Sequence, residues 1–131
     1  GVYREAHGGS QLAFDALVDR DLQVSLDSDV VVTRRYRAAH NVGWFRFVEY
    51  SMLDATGQPR GDLAPFAEVV FPFDSALQNS EDLRGIPVER RQHGPEIEER
   101  YRIDRHGIMH LEIRDLDTGF ETRRSLTLPA T

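Results

Sequence analysis

Apolar and polar residues alternate with period two through the last third of the chain. Ile97, Glu99, Tyr101 and Ile103 share one phase, while Glu98, Arg100, Arg102 and Asp104 share the other. That is the pattern of a strand with one covered face. Asp104-Arg105-His106-Gly107 follows, with an Asp that bonds forward backbone N–H groups and a Gly that tolerates positive φ, so a hairpin is predicted there. Met109, Leu111 and Ile113 then alternate with His110, Glu112 and Arg114, and Asp115-Leu116-Asp117-Thr118-Gly119 turns the chain into a third strand from Phe120 to Leu128.

Upstream, the segments 14–18, 22–26, 30–35, 43–50 and 69–73 are short, rich in β-branched or aromatic residues and bounded by polar or Gly-containing stretches, which predicts further strands. Strands at this spacing indicate an all-β fold, a two-layer antiparallel β-sandwich of about eight strands. At most one short helix is expected, over Ser75–Leu83, capped by Asp74 or Ser75 and ended by Gly85. Loops are expected at 38–42, 54–61 and 84–95, the last with two prolines and clustered charge, and the chain has no internal repeat or low-complexity linker.

Length and composition narrow the picture. The 131 residues, 40% of them hydrophobic, suit a single domain spanning residues 1–131 with one core. Without cysteine there can be no thiol nucleophile, thiolate metal site or disulfide, and a cytoplasmic setting is expected. The 22 acidic residues outweigh 16 basic ones to give −6, a balance that argues against nucleic acid or an anionic membrane as the main partner. Every basic residue is arginine, which we read as a codon bias. No apolar run approaches the ~20 residues of a membrane span, and Gly1–Ser10 has no apolar signal-like core. Opening on Gly1 and ending just behind a strand-like run, the chain is expected to be a segment of a longer polypeptide.

Candidate chemistry is sparse. His106 and His110 beside Asp104 lack metal-ligand spacing and read as solvated surface histidines, and His7, His40 and His93 fall in predicted loops. Glu96, Glu98 and Glu99, with Arg90, Arg91, Arg100 and Arg102 nearby, read as cross-strand charge pairs on a wet face, each contributing ~0.2–1 kcal/mol. Ser51, Ser75 and Ser125 sit in no nucleophile elbow, and no phosphate loop or dinucleotide fingerprint occurs. No enzyme is expected. Trp44, Phe45, Phe47 and Tyr50 form the one aromatic cluster, with Phe45 and Phe47 in one phase and Trp44, Arg46 and Val48 in the other, as in a strand covered on both faces or lining a groove.

Three blocks are more specific: Gly94-Pro95-Glu96-Ile97-Glu98, Tyr101-Arg102-Ile103-Asp104-Arg105-His106-Gly107-Ile108, and Asp115-Leu116-Asp117-Thr118-Gly119-Phe120-Glu121. Together they resemble, without gaps between blocks, the end of the β-sandwich substrate-binding subdomain of the seventy-kilodalton, DnaK-type heat-shock chaperones. Gly8-Gly9, the stretch from Phe14 to Asp21, Val24 and the stretch from Gly61 to Phe73 resemble its earlier strands more loosely.

The resemblance implies a sandwich that holds an extended polypeptide in a channel, with main-chain hydrogen bonds for affinity and an apolar pocket for preference. By alignment, an opening loop Val2–Gly8 and the segment Val32–Ala39 would flank that channel, giving Val2, Arg4, Glu5, Val32, Arg35, Phe45 and Phe47 as peptide-binding residues. Arg4 and Glu5 replace small or apolar groups of the family, and Phe45 and Phe47 stand where it has small or β-branched pocket residues. Phe45 would occupy the volume of a bound Leu, removing up to ~1.5–3 kcal/mol of ligand burial. The expected partners are extended polypeptides and the parent's ATPase domain and helical lid. No cofactor is expected in this chain, ATP belonging to the nucleotide-binding domain. An alternative is a closed sandwich that contacts an acidic partner or another subunit through Arg34, Arg35 and Arg37.

Overall fold

A computed structural model describes residues 2–6, 11–16, 30–56, 58–104, 106 and 108–127. The strands are β1 (Val2–Ala6), β2 (Gln11–Asp15), β3 (Val30–Arg37), β4 (Val42–Leu53), β5 (Pro59–Pro72), β6 (Glu96–Ile103), β7 (Ile108–Asp115) and β8 (Glu121–Thr127). They build two four-stranded sheets, ordered β2-β1-β4-β5 and β3-β6-β7-β8, and every strand pair is antiparallel. The predicted two-layer sandwich is therefore the observed fold.

The C-terminal meander follows the period-two reading closely. β6 and β7 alternate buried Ile97, Glu99 and Tyr101, and Met109, Leu111 and Ile113, with outward polar residues. Asp104 Oδ1 accepts from the N–H groups of His106 (2.9 Å) and Ile108 (3.1 Å) in the first turn. Asp115 Oδ1 does the same for Asp117 (2.9 Å) and Thr118 (3.0 Å) in the second, where Gly119 takes a φ of 82°. Elsewhere the elements depart from expectation. Val2–Ala6, expected as a loop, is a strand, because Val2 is drawn into the core opposite Phe47. β5 begins at Pro59, so the turn before it is held within residues 54–58 by Asp54 Oδ1, which accepts from the Thr56 and Gln58 N–H groups at 2.9 Å. The helix shrinks to a 3-10 turn at Ser75–Leu77, capped by Asp74. The strand expected at residues 22–26 lies outside the described residues.

Between the sheets, Phe45, Phe47, Phe71, Phe73, Ile97, Tyr101, Leu111 and Ile113 are all fully buried. Edge-to-face and tilted ring contacts join them: Phe45–Phe73 at 6.2 Å, Phe47–Tyr101 at 6.2 Å and Phe71–Phe73 at 5.8 Å. Burying each such ring is worth ~1.5–3 kcal/mol. β5 carries a bulge at Phe66, since Phe47 faces Ala67 whereas Val48 faces Pro65.

Candidate functional site

Alternation along β1 aims Val2 and Arg4 inward, and β2 presents Asp15 directly opposite Val2. From the other sheet, β3 contributes Arg34 and Tyr36 and β6 contributes Glu99 and Tyr101. Arg34, Asp15, Arg4 and Glu99 form a line of alternating charge from the rim of the sandwich to its centre, with Tyr36 and Tyr101 beside its inner end. Arg34 Nε donates to Asp15 Oδ2 at 2.7 Å, and Arg4 Nη1 donates to the same oxygen at 2.8 Å. Arg4 then spans the sheets: Nη2 donates to Glu99 Oε1 at 2.8 Å, and Nε lies 2.8 Å from Oε2. The Tyr101 hydroxyl donates to Glu99 Oε1, and the Arg4 guanidinium lies 5.9 Å from the Tyr36 ring centre.

Glu99 is 0% exposed. A carboxylate in such a place persists only when paired, because desolvating it alone costs several kcal/mol. Burial is the largest single influence on Arg4 and acts to lower its pKa, but the charges of Glu99 and Tyr101 and the hydrogen bonds to Glu99 and Asp15 together outweigh it, and the net shift is upward. Burial, and then the negative charge of Glu99, hold the pKa values of Tyr36 and Tyr101 well above 10. The Tyr36 hydroxyl is buried with no partner in hydrogen-bonding alignment. What this arrangement does chemically is clasp the two layers at one side, around a carboxylate closed off from solvent. Among the described residues no group of His, Asp or Glu is placed to bind a metal.

The structure scatters the residues expected to bind peptide. Phe45 is 1% and Phe47 0% exposed, so they are interior packing and line no open groove. Val2 lies beside Phe47 in the same core, and Val32 packs against it from β3. Arg4 belongs to the clasp. Glu5 falls on β1, its side chain outside the described residues. Arg35 points away from the interior, 2.6 Å from Glu98. The arginines of the alternative reading are engaged by their own chain: Arg34 with Asp15, Arg35 with Glu98, and Arg37 Nη1 donating to the Gly94 carbonyl at 2.9 Å.

Glu99, grouped by sequence with the wet-face carboxylates, is the main correction. Its signal lay in the alternation itself, as a charge in the apolar phase between Ile97 and Tyr101. Asp15, Tyr36 and Tyr101 had no comparable signal. His110 meets the surface expectation, with Nε2 2.9 Å from Asp104 Oδ2 and Nδ1 3.2 Å from Ser125 Oγ. No protein-family model and no curated protein matches the chain.

Proposed function

We propose that the chain is the substrate-binding sandwich of a divergent DnaK-type chaperone, acting without catalysis to hold extended polypeptide. The supporting observation is that the three blocks carrying the resemblance fall on the β6–β7–β8 meander and the approach to it, where Gly94, Asp104 and Asp115 serve structural needs. A Cβ on Gly94 would lie 2.0 Å from the Ala38 carbonyl oxygen, so the backbone there admits only glycine. Pro95 O accepts from Ala38 N at 2.9 Å, and the Asp104 and Asp115 turns fall where the blocks place Asp and Gly.

With Phe45 and Phe47 packed inside, a guest strand is held at an edge. β5 is a poor edge, interrupted by Pro59, Pro65 and Pro72 and by its bulge. β3 pairs in unbroken register with β6 from Val30 to Arg37, and among the described strands it has a neighbour on that side alone. Val32 and Arg35 lie on this strand, and Val31 is 48% exposed. Strand addition there uses main-chain bonds for affinity and alternate side chains for preference. The test is titration of a labelled Leu-rich peptide followed by anisotropy, with Val31→Asp as the variant. Submillimolar binding that weakens in the variant is expected; binding weaker than millimolar, or unchanged by the variant, overturns the reading.

A further inference from the structure

No nucleophile-elbow motif surrounds Ser125, yet the register of the C-terminal meander gives its hydroxyl a base. β7 and β8 pair so that Ser125 stands directly opposite His110, and cross-strand partners on one face bring their side chains within reach of each other. His110 Nδ1 lies 3.2 Å from Ser125 Oγ, and His110 Nε2 lies 2.9 Å from Asp104 Oδ2. Asp104 is itself held in place: its Oδ1 accepts from the His106 and Ile108 N–H groups, which leaves Oδ2 for the ring. Hydroxyl, imidazole and carboxylate follow one another as nucleophile, base and orienting group do in acyl-transfer sites.

The direction of each hydrogen bond follows from what each group can do. The His110 bond, and after it the Ile108 N–H, hold the Asp104 pKa at about 2, and an ionised carboxylate only accepts. His110 Nε2 therefore carries the proton directed at Oδ2. In the neutral ring Nδ1 then keeps its lone pair, so the Ser125 hydroxyl is the donor in its contact with the ring. This is the tautomer that can take a proton from a serine. Ser125 is exposed, and with His110 it lines a groove of about 430 Å³ on the outer face of the sheet, within the range of ligand-sized clefts. A carbonyl carbon can thus approach Oγ from solvent.

We infer that Ser125 is an activated nucleophile that transfers the acyl group of small aryl esters to water, with His110 as its base and Asp104 as the positioning residue that fixes the ring. The site is on β7 and β8, across the sheet from the β3 edge, and does not depend on peptide binding there. In the first step Oγ bonds to the ester carbonyl carbon while Nδ1 takes the hydroxyl proton; the bond to the leaving oxygen then breaks, and that oxygen takes the proton from Nδ1. In the second step a water oxygen bonds to the acyl carbon while Nδ1 takes a water proton; the bond to Oγ breaks, and Oγ recovers the proton. An ester and a water thus become an acid and a phenol. The substrate class follows from the surroundings. β7 uses its backbone in ladders to both β6 and β8, so the oxyanion of the intermediate meets water and the groove's arginines, of which Arg102 stands across from His110. Such help is weaker than a preformed pair of amide donors, which favours esters with weakly basic leaving groups over alkyl esters.

The experiment is hydrolysis of p-nitrophenyl acetate by the full chain, followed by nitrophenolate absorbance and by mass spectrometry of the acid-quenched protein. The unaltered chain should turn the ester over and carry the acetyl group on Ser125. Ser125→Ala and His110→Gln should each lower the rate by about tenfold or more, whereas His93→Asn, which removes an exposed histidine outside the groove, should leave it unchanged. Asp104→Asn keeps an oxygen for the turn but offers an amide N–H to Nε2, so the ring proton moves to Nδ1. In that variant kcat should fall with KM unchanged, and the nitrogen chemical shifts of His110 should report the reversed tautomer. Circular dichroism melts check that the variants are folded. Equal rates in the unaltered chain and Ser125→Ala, or an acetyl group found only on other residues, overturns the assignment. Binding of the Leu-rich peptide should be the same in Ser125→Ala, so failure at one site is distinguishable from failure at the other.

Discussion

Arg4 has one side chain that serves two carboxylates on two sheets, and its energetic role follows from what its loss would leave behind. Its side chain is 11% exposed and that of Glu99 is 0% exposed, so truncating either partner strands an unpaired charge in the interior. Such a loss typically costs ~3–5 kcal/mol, although a buried pair is itself often no better than well-packed apolar residues. Arg4→Met alone and Glu99→Leu alone should each destabilise by about that amount, and the double variant should recover most of the loss. Urea unfolding of the four proteins measures this. If the double variant is as unstable as the sum of the singles, the two residues act separately and the clasp is not a unit. Asp15 would keep its bond from Arg34 throughout, which limits what the Arg4 change leaves unpaired.

At the scale of elements, the hairpin between β6 and β7 depends on Asp104. Its side chain receives the His110 ring at 2.9 Å and the two backbone N–H groups of the turn. First the His110 hydrogen bond and then the Ile108 N–H lower its pKa from 3.8 to about 2. A carboxyl with a lower pKa when folded stabilises the fold in full above its unfolded value and loses that contribution as pH falls through the folded value. The turn should therefore loosen between about pH 4 and about pH 2. Carboxyl chemical shifts followed by nuclear magnetic resonance should give Asp104 a midpoint near the lower end of that window, and a midpoint at 3.8 would mean that the turn bonds are absent in solution. This hairpin was legible in the sequence because local rules act there: period two, an Asx turn, a glycine. Asn41, by contrast, was not legible. It is buried, accepts from the Val42 and Glu89 N–H groups, and donates to the Pro87 carbonyl, thereby fixing the 84–95 loop to the end of β4. Its partners lie up to 48 residues away, a distance no local pattern reports. The fold class was therefore readable, whereas the clasp was not: its members come from four strands whose order across two sheets alternation does not give.

For the whole molecule, the question is what keeps the two layers together at the β2–β3 side, where the core cluster gives way to charge. Tyr101 packs its ring on Phe47 of the opposite sheet at 6.2 Å and donates a hydroxyl hydrogen bond to Glu99. Tyr36 sets its ring edge-on to Phe73 at 6.5 Å and faces Arg4. Ionising either phenol places a second negative charge beside Glu99 in the buried interior, which the layers relieve by separating. Burial and then Glu99 raise both pKa values well above 10. For a group whose protonated form the fold favours, the stabilisation is complete below the unfolded pKa and is lost as pH rises past it. The tyrosines' contribution to stability should thus be level below about pH 10 and fall beyond it, earlier than loss of arginine charge could cause. Stopped-flow jumps to alkaline pH test this by following tyrosinate absorbance and far-ultraviolet circular dichroism together. Part of the absorbance should rise with the same rate constant as the loss of strand signal, because these phenols ionise only once the sheets part. In Glu99→Gln, which removes the repelling charge, that slow part should begin to ionise at lower pH. Were all tyrosinate to form before any strand signal is lost, Tyr36 and Tyr101 would be reached by solvent in the intact sandwich, and the two layers would not be closed over them.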